Sequence, residues 1–210
     1  MNRARFVVTG TDTDIGKTIF AAALTDALGA SYWKPIQAGL DGETDSQTVA
    51  RLSPDTAAKI IPEAWRLATP ASPHLAAEID GVTINPLALN PPDVDGPLVV
   101  EGAGGLLAPL NRRTLSIELF ARWGLPTILC ARTSLGAINH ALLSLQAMAA
   151  WKVPLRGVVF IGDEMADTQG VIAAFSGARI LGRLPRLDPL TSETLRVAFA
   201  ANFNLADFEP

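Results

Sequence analysis

A chain of 210 residues is long enough to bury one sizeable core, and no Pro/Gly/Ser linker or block of like charge divides it, so one domain over residues 1–210 is expected. Apolar residues make up 49% and charged residues 18%, and the net charge of -4 comes from interspersed signs, a balance that argues against a nucleic-acid-binding surface. Cys130 is the only cysteine, which excludes intramolecular disulfides and cysteine-rich metal sites and makes a reducing cytoplasm the expected location.

In chain order, the opening "MNRARFVVTG" places basic residues before a very short apolar run that passes straight into a loop, so neither a signal peptide nor a membrane span is expected. That run predicts a first strand over 5–9, and the period of "KTIFAAALTDAL" predicts a helix over 17–28. Further strands are predicted over 31–34, 98–101, 127–131, 157–161 and 179–181, and helices over 45–52, 116–123, 137–151, 167–175 and 192–201. The proline-rich stretch 53–97 is expected to run outside the sheet, with one short helix near 73–79. Near-continuous apolar strands such as "PLVVE" and "PTILC" belong to sheets covered on both faces. The expected class is therefore α/β: a doubly wound, mainly parallel sheet with helices on both faces.

Ligands of such sheets bind beyond the carboxyl ends of the strands, so the strand ends are where function is sought. The first is followed by "TGTDTDIGKT", a glycine-containing loop between strand and helix, the setting a phosphate-binding loop requires. Five residues separate Gly10 from Gly16, one more than in the usual form. Backbone N–H groups of this loop and the start of the helix suit phosphate oxygens; Lys17 suits the outer phosphates and Thr18 suits Mg²⁺. The second strand end carries Lys34, which reads equally as a solvated lysine beside Pro35 or as a second cation on a transferred phosphoryl group. Glu101 closes "PLVVE" before "GAGG", where a nucleotide hydrolase holds its metal. Asp45 reads as a helix cap or as a metal ligand, and spacing alone does not separate it from Asp41, Glu43 and Asp55. "SLGAINHA" starts a helix whose N–H groups at Gly136, Ala137 and Ile138 suit a carboxylate, with Asn139 as an added donor.

Taken together and in this order, "GTDTDIGKT", "KPIQAG", "TDS", "SPH", "VVEGAGG" and "LGAINHALLS" resemble the dethiobiotin synthetase family over nearly the whole chain. In that family the enlarged loop is the normal form. The resemblance implies a fold of the phosphate-loop NTPase type and a homodimer that uses ATP and Mg²⁺ to convert 7,8-diaminononanoate and CO₂ to a cyclic urea, with no nucleic-acid or membrane partner. It implies nucleotide contacts from Gly10, Thr11, Asp12, Thr13, Asp14, Ile15, Gly16, Lys17, Thr18, Gly162 and Pro185. Metal contacts would come from Thr18, Asp45 and Glu101. Lys34, Lys17 and Thr13 would act on the reacting groups. Substrate contacts would come from Lys34, Ala38, Glu101, Gly102, Ala103, Gly104 and Gly105 of one subunit, and from Gly136, Ala137, Ile138 and Asn139 across the dimer interface.

Three positions depart from the family pattern: Asp14 where glutamate is usual, Ala38 where serine or threonine is frequent, and Ile161 with Gly162 where an asparagine commonly reads the base. The last departure removes a bidentate amide, and relaxed nucleotide use is expected from it. Two other readings share the fold. An amide synthetase of the cobyrinate-diamide type would need a nucleophilic cysteine, and a partitioning-type ATPase switch carries a lysine early in the loop, whereas residues 11–15 contain none.

Overall fold

The computed structural model describes residues 4–209. In chain order the elements are β1 (Arg5–Gly10), α1 (Lys17–Leu28), β2 (Ser31–Trp33), β3 (Ile36–Ala38), α2 (Asp45–Leu52), β4 (Ile60–Ile61), β5 (Trp65–Leu67), α3 (Pro73–Ile79), β6 (Leu98–Gly105), α4 (Ser116–Trp123), β7 (Thr127–Arg132), α5 (Ala137–Ala150), β8 (Leu155–Ile161), α6 (Ala166–Ser176), β9 (Ile180–Leu184) and α7 (Ser192–Asn202). Seven strands form one sheet in the order β4-β2-β6-β1-β7-β8-β9, and every neighbouring pair is parallel.

Side-chain alternation along the strands divides the core in two. Phe6, Val8, Val99, Ile128, Cys130 and Val159 face a layer that contains Phe20 of α1, Val49 and Leu52 of α2, and Leu195 and Phe199 of α7. Val7, Leu98, Val100, Leu129, Ala131, Val158 and Phe160 face a second layer with Ala76 of α3, Phe120 of α4, Leu145 of α5 and Ile172 of α6. The central strands are thus apolar on both sides, as their unbroken apolar runs predict. The chain runs outward from β1 to β2, returns to β6, crosses over β1 to β7 and continues to β9, so its direction along the sheet reverses around β1. The loop after β1 therefore sits at the topological switch point, where such sheets bind their ligands.

The predicted elements all form, with differences at specific places. β6 does not end at Glu101: the glycines that follow remain strand through Gly105, and Gly10 pairs with Gly105 after a shift of register between Val8 and Gly10. A Cβ at Gly105 would meet the carbonyl oxygen of Gly10 at 3.4 Å, so the end of β6 lies at van der Waals contact with the start of the loop. β2 stops at Trp33, one residue before Lys34, because Pro35 has no N–H for the ladder. The stretch 53–97 is not wholly outside the sheet: Ile60 and Ile61 pair with Tyr32 and Trp33 as its edge strand. A second, two-stranded parallel sheet joins β3 to β5. The helix near 73–79 forms as α3. Among the described residues no helix is long and apolar enough to cross a membrane.

Candidate active site

The loop from Thr11 to Gly16 bends back over its own start. Gly16 adopts φ 93°, in the left-handed region that a side chain rarely tolerates, and a Cβ there would stand 2.8 Å from Cγ2 of Ile161. Ile15 is buried and packs into the α1 layer, which anchors the loop from below and leaves its backbone, not its side chain, for a ligand. Thr13 is exposed at the crest, facing the Gly104 segment, where a Cβ would lie 3.6 Å from the Thr13 hydroxyl. Lys17 is buried with its ammonium 2.5 Å from the carbonyl oxygen of Asp12, folded across the loop mouth. Burial, then the charge of Lys34, lowers its pKa from the ordinary lysine value.

Beside the loop, four side chains from four elements meet. Lys34, just past β2, places Nζ 2.6 Å from Oδ2 of Asp45, 2.9 Å from Oε1 of Glu101 and 3.1 Å from the carbonyl oxygen of Gly102. The hydroxyl of Thr18, in the first turn of α1, lies 2.9 Å from Oδ1 of Asp45 and 2.9 Å from Oε1 of Glu101. Lys34 and Glu101 are almost completely buried. Burial alone would lower the pKa of Lys34, but the carboxylates of Glu101 and Asp45 outweigh it and hold the ammonium above its ordinary value. Burial would raise Asp45, and the Lys34 charge outweighs it in turn, so Asp45 stays below the usual aspartate value. Desolvating these charges offsets much of their attraction, so the cluster adds little net stability for its complexity.

This geometry decides what spacing left open. The cap of α2 is Thr44, whose side chain accepts from the Gln47 N–H in a capping box, while Asp45 turns inward to Lys34 and Thr18. Glu43 pairs with Arg51 and Asp55 with Arg196, away from the cluster. Lys34 is no solvated surface lysine. The Cys130 thiol is fully buried within β7, and burial pushes its pKa up, which leaves it protonated and unsuited to nucleophilic attack.

Oδ1 of Asp45 and Oε1 of Glu101 each lie 2.9 Å from the Thr18 hydroxyl, a hard oxygen set of the kind that holds Mg²⁺ together with water and phosphate oxygens. The residues therefore fit that ion.

A protein-family profile described as an AAA domain matches residues 4–194. Over 204 residues the chain is 62% identical to the ATP-dependent dethiobiotin synthetase BioD of Agrobacterium fabrum, covering 97% of this chain and 96% of the relative. The chain belongs to the dethiobiotin synthetase family. Its similarity to the enzymes of the same name from Rhodopseudomonas palustris (62% over 202 residues, 96% of this chain and 95% of the relative) and Sphingopyxis alaskensis (61% over 204 residues, 97% and 98%) is of the same order. Among solved structures, a ParA family ATPase from Chlorobium tepidum superposes with a TM-score of 0.54 at 12% identity over 95% of this chain and 93% of that one. The MinC:MinD complex of Aquifex aeolicus gives 0.51 at 13% identity over 92% and 85%. These two likenesses concern the fold alone.

Against the dethiobiotin synthetase pattern, the three departures have distinct physical settings. Asp14 sits at φ 53° with its side chain exposed. Aspartate is among the few side-chain-bearing residues that enter the left-handed region readily, so the shorter acid suits this bend. Ala38 ends β3, and its carbonyl accepts from Gln37, whose Oε1 in turn accepts from the Asp45 N–H and holds the start of α2. Ile161 packs beneath Gly16 and offers no polar atom to a base. Gly162 follows, its N–H donating to the Leu184 carbonyl and its carbonyl accepting from Arg183. Pro185 lies just beyond β9 at the same sheet edge.

Gly136, Ala137, Ile138 and Asn139 open α5 as expected, but the Ala137 N–H donates to the Ser134 carbonyl and so is not free for a carboxylate. Among the described residues no hydrogen bond or ion pair joins this helix start to the Lys34 cluster within one chain. Two contacts escaped the sequence reading. Arg132, at the end of β7, approaches Asp12 of the loop to 3.9 Å. The Tyr32 hydroxyl lies 2.8 Å from Oε2 of Glu101. Neither residue belongs to a recognisable motif, and each meets a partner far away in sequence.

Proposed function

We propose that this chain is an ATP-dependent dethiobiotin synthetase of the cytoplasm, working over residues 1–210 as one catalytic domain. The observation that carries this reading is the convergence of Thr18, Lys34, Asp45 and Glu101 beside the phosphate loop. The substrates are 7,8-diaminononanoate, CO₂ and ATP. The diamine takes up CO₂ as a carbamate, a carbamate oxygen attacks the γ-phosphorus, and the bond to the bridging oxygen breaks to release ADP. The second amine then attacks the carbamoyl carbon, and phosphate leaves with the carbamate oxygen as the ring closes.

Loop amides at residues 10–16 bind the phosphates. Lys17 and Lys34 place positive charge where negative charge accumulates on the transferred group. Mg²⁺, when held by Thr18, Asp45 and Glu101, neutralises charge on the phosphate oxygens. Gly102, Ala103, Gly104 and Gly105 present a narrow backbone that lets the carbamate lie against the γ-phosphate, within reach of Thr13. The carboxylate tail of the diamine is taken by the start of α5 from a second copy of the chain, at Gly136, Ile138 and Asn139. Support for a shared pocket comes from Leu107, Leu135 and Leu143, which are large, exposed and adjacent in sequence to these two segments. A variant held monomeric is expected to lose activity, and a monomer by sedimentation that still turns over contradicts the shared pocket.

The activity is tested by following dethiobiotin with diamine, bicarbonate, Mg²⁺ and each of ATP, CTP and GTP. Product is expected with all three nucleotides, because Ile161 and Gly162 supply no base-reading amide. Strong preference for ATP overturns the relaxed selectivity, and no product with any nucleotide overturns the function.

A further inference from the structure

Tyr32 lies in β2 opposite Val99 of β6, and period-two alternation puts Tyr32, Lys34, Val99 and Glu101 on the same face of the sheet. The phenol is completely buried and reaches along that face to Glu101. The two carboxylate oxygens of Glu101 are thereby divided. Oε1 accepts from Thr18 at 2.9 Å and from Lys34 at 2.9 Å, on the side of the phosphate loop. Oε2 accepts from Tyr32 at 2.8 Å, on the side of the core.

We infer that Tyr32 is a positioning residue of the phosphoryl-transfer site, pinning Oε2 so that Oε1 of Glu101 is committed to the metal and to Lys34. The inference rests on the function proposed above. A carboxylate free to rotate about its last torsion presents either oxygen to the site, since terminal torsions of this kind are broad. One charge-assisted hydrogen bond to the rear oxygen removes that freedom at a point where fractions of an ångström matter for catalysis. A phenol that merely needed a partner for a buried hydroxyl would affect stability and leave metal binding alone.

The chain holds one tyrosine, so tyrosine spectroscopy reads this position and no other. In Tyr32→Phe, the Mg²⁺ concentration giving half of the thermal stabilisation by a non-hydrolysable ATP analogue is expected to rise about tenfold, equivalent to about 1.4 kcal/mol. The KM for the diamine is expected to stay within about twofold, far less than that tenfold step. An unchanged Mg²⁺ midpoint overturns the assignment. Should the variant fail to fold, 3-fluorotyrosine in the native sequence decides: its fluorine resonance is expected to shift when Mg²⁺ and the analogue are added together, and a resonance that stays put overturns the assignment. If the native protein itself gains no Mg²⁺-dependent stabilisation from the analogue, the nucleotide-metal reading fails and Tyr32 falls with it. A native response with an equal response in Tyr32→Phe sinks the Tyr32 role alone.

Discussion

Replacing Glu101 by glutamine is expected to lower kcat/KM for dethiobiotin formation by about a thousandfold, the upper end of what one electrostatic group at a transition state contributes. The side chain keeps its shape, so the effect isolates charge and hydrogen-bond polarity. Glu101 accepts from three donors, Thr18 and Lys34 on one oxygen and Tyr32 on the other. Glutamine has one acceptor and one donor end. Whichever way the amide turns, its NH₂ faces Tyr32 on one side or Thr18 and Lys34 on the other, and a buried donor loses its partner. That costs about 1–3 kcal/mol of folding stability in addition to the catalytic loss. Steady-state kinetics and urea unfolding measure the two separately. A variant that retains even a tenth of native turnover contradicts the placement of Glu101 at the reacting phosphate.

Lys34→Met carries the second large effect. The substitution keeps an unbranched chain of similar volume and removes the ammonium that joins Asp45 to Glu101. Two carboxylates linked through the Thr18 hydroxyl are then left without their cation, and removing one member of a buried ion cluster costs about 3–5 kcal/mol. Added Mg²⁺ is expected to restore part of the melting temperature, because a dication also neutralises the pair. Activity is expected to remain down by about a hundredfold or more at saturating Mg²⁺, since the charge opposite the transferred phosphoryl group is still missing. Thermal melts with and without Mg²⁺, set beside dethiobiotin formation, check both halves. Recovery of activity together with stability would show that Lys34 only balances charge.

Much of this site is legible in the sequence because its parts are tied to strand ends. Lys17 and Thr18 follow a strand and open a helix, and Glu101 terminates an apolar run, so their common sheet edge is predictable from pattern. Lys34 and Asp45 become legible only in company: each alone reads as a surface lysine or a helix cap, and the resemblance to a family resolves them. What sequence hides is contact between distant segments. The Tyr32–Glu101 bond spans 69 positions, and its residues belong to strands that read as ordinary apolar runs. The strand character of the glycines after Glu101 is hidden for another reason. Glycine is a poor strand former, and here the pairing of Gly105 with Gly10 overrides that preference. Ile60 and Ile61 form an edge strand too short for any periodicity to show, inside a segment dominated by proline. Ile161 reads in sequence as a missing amide, and the structure adds what it does instead, which is to support Gly16 from below.

The central claim is that a carbamate oxygen, held against the phosphate loop by Lys34 and the Gly102–Gly105 backbone, becomes part of the phosphate released. Oxygen-18-labelled CO₂ given with the diamine and ATP, quenched before the label exchanges with water, tests this most directly. One labelled oxygen is expected in each inorganic phosphate, with phosphate and dethiobiotin formed in equal amounts. Unlabelled phosphate, or phosphate released without dethiobiotin, would mean that water and not the carbamate attacks ATP, and would contradict the account.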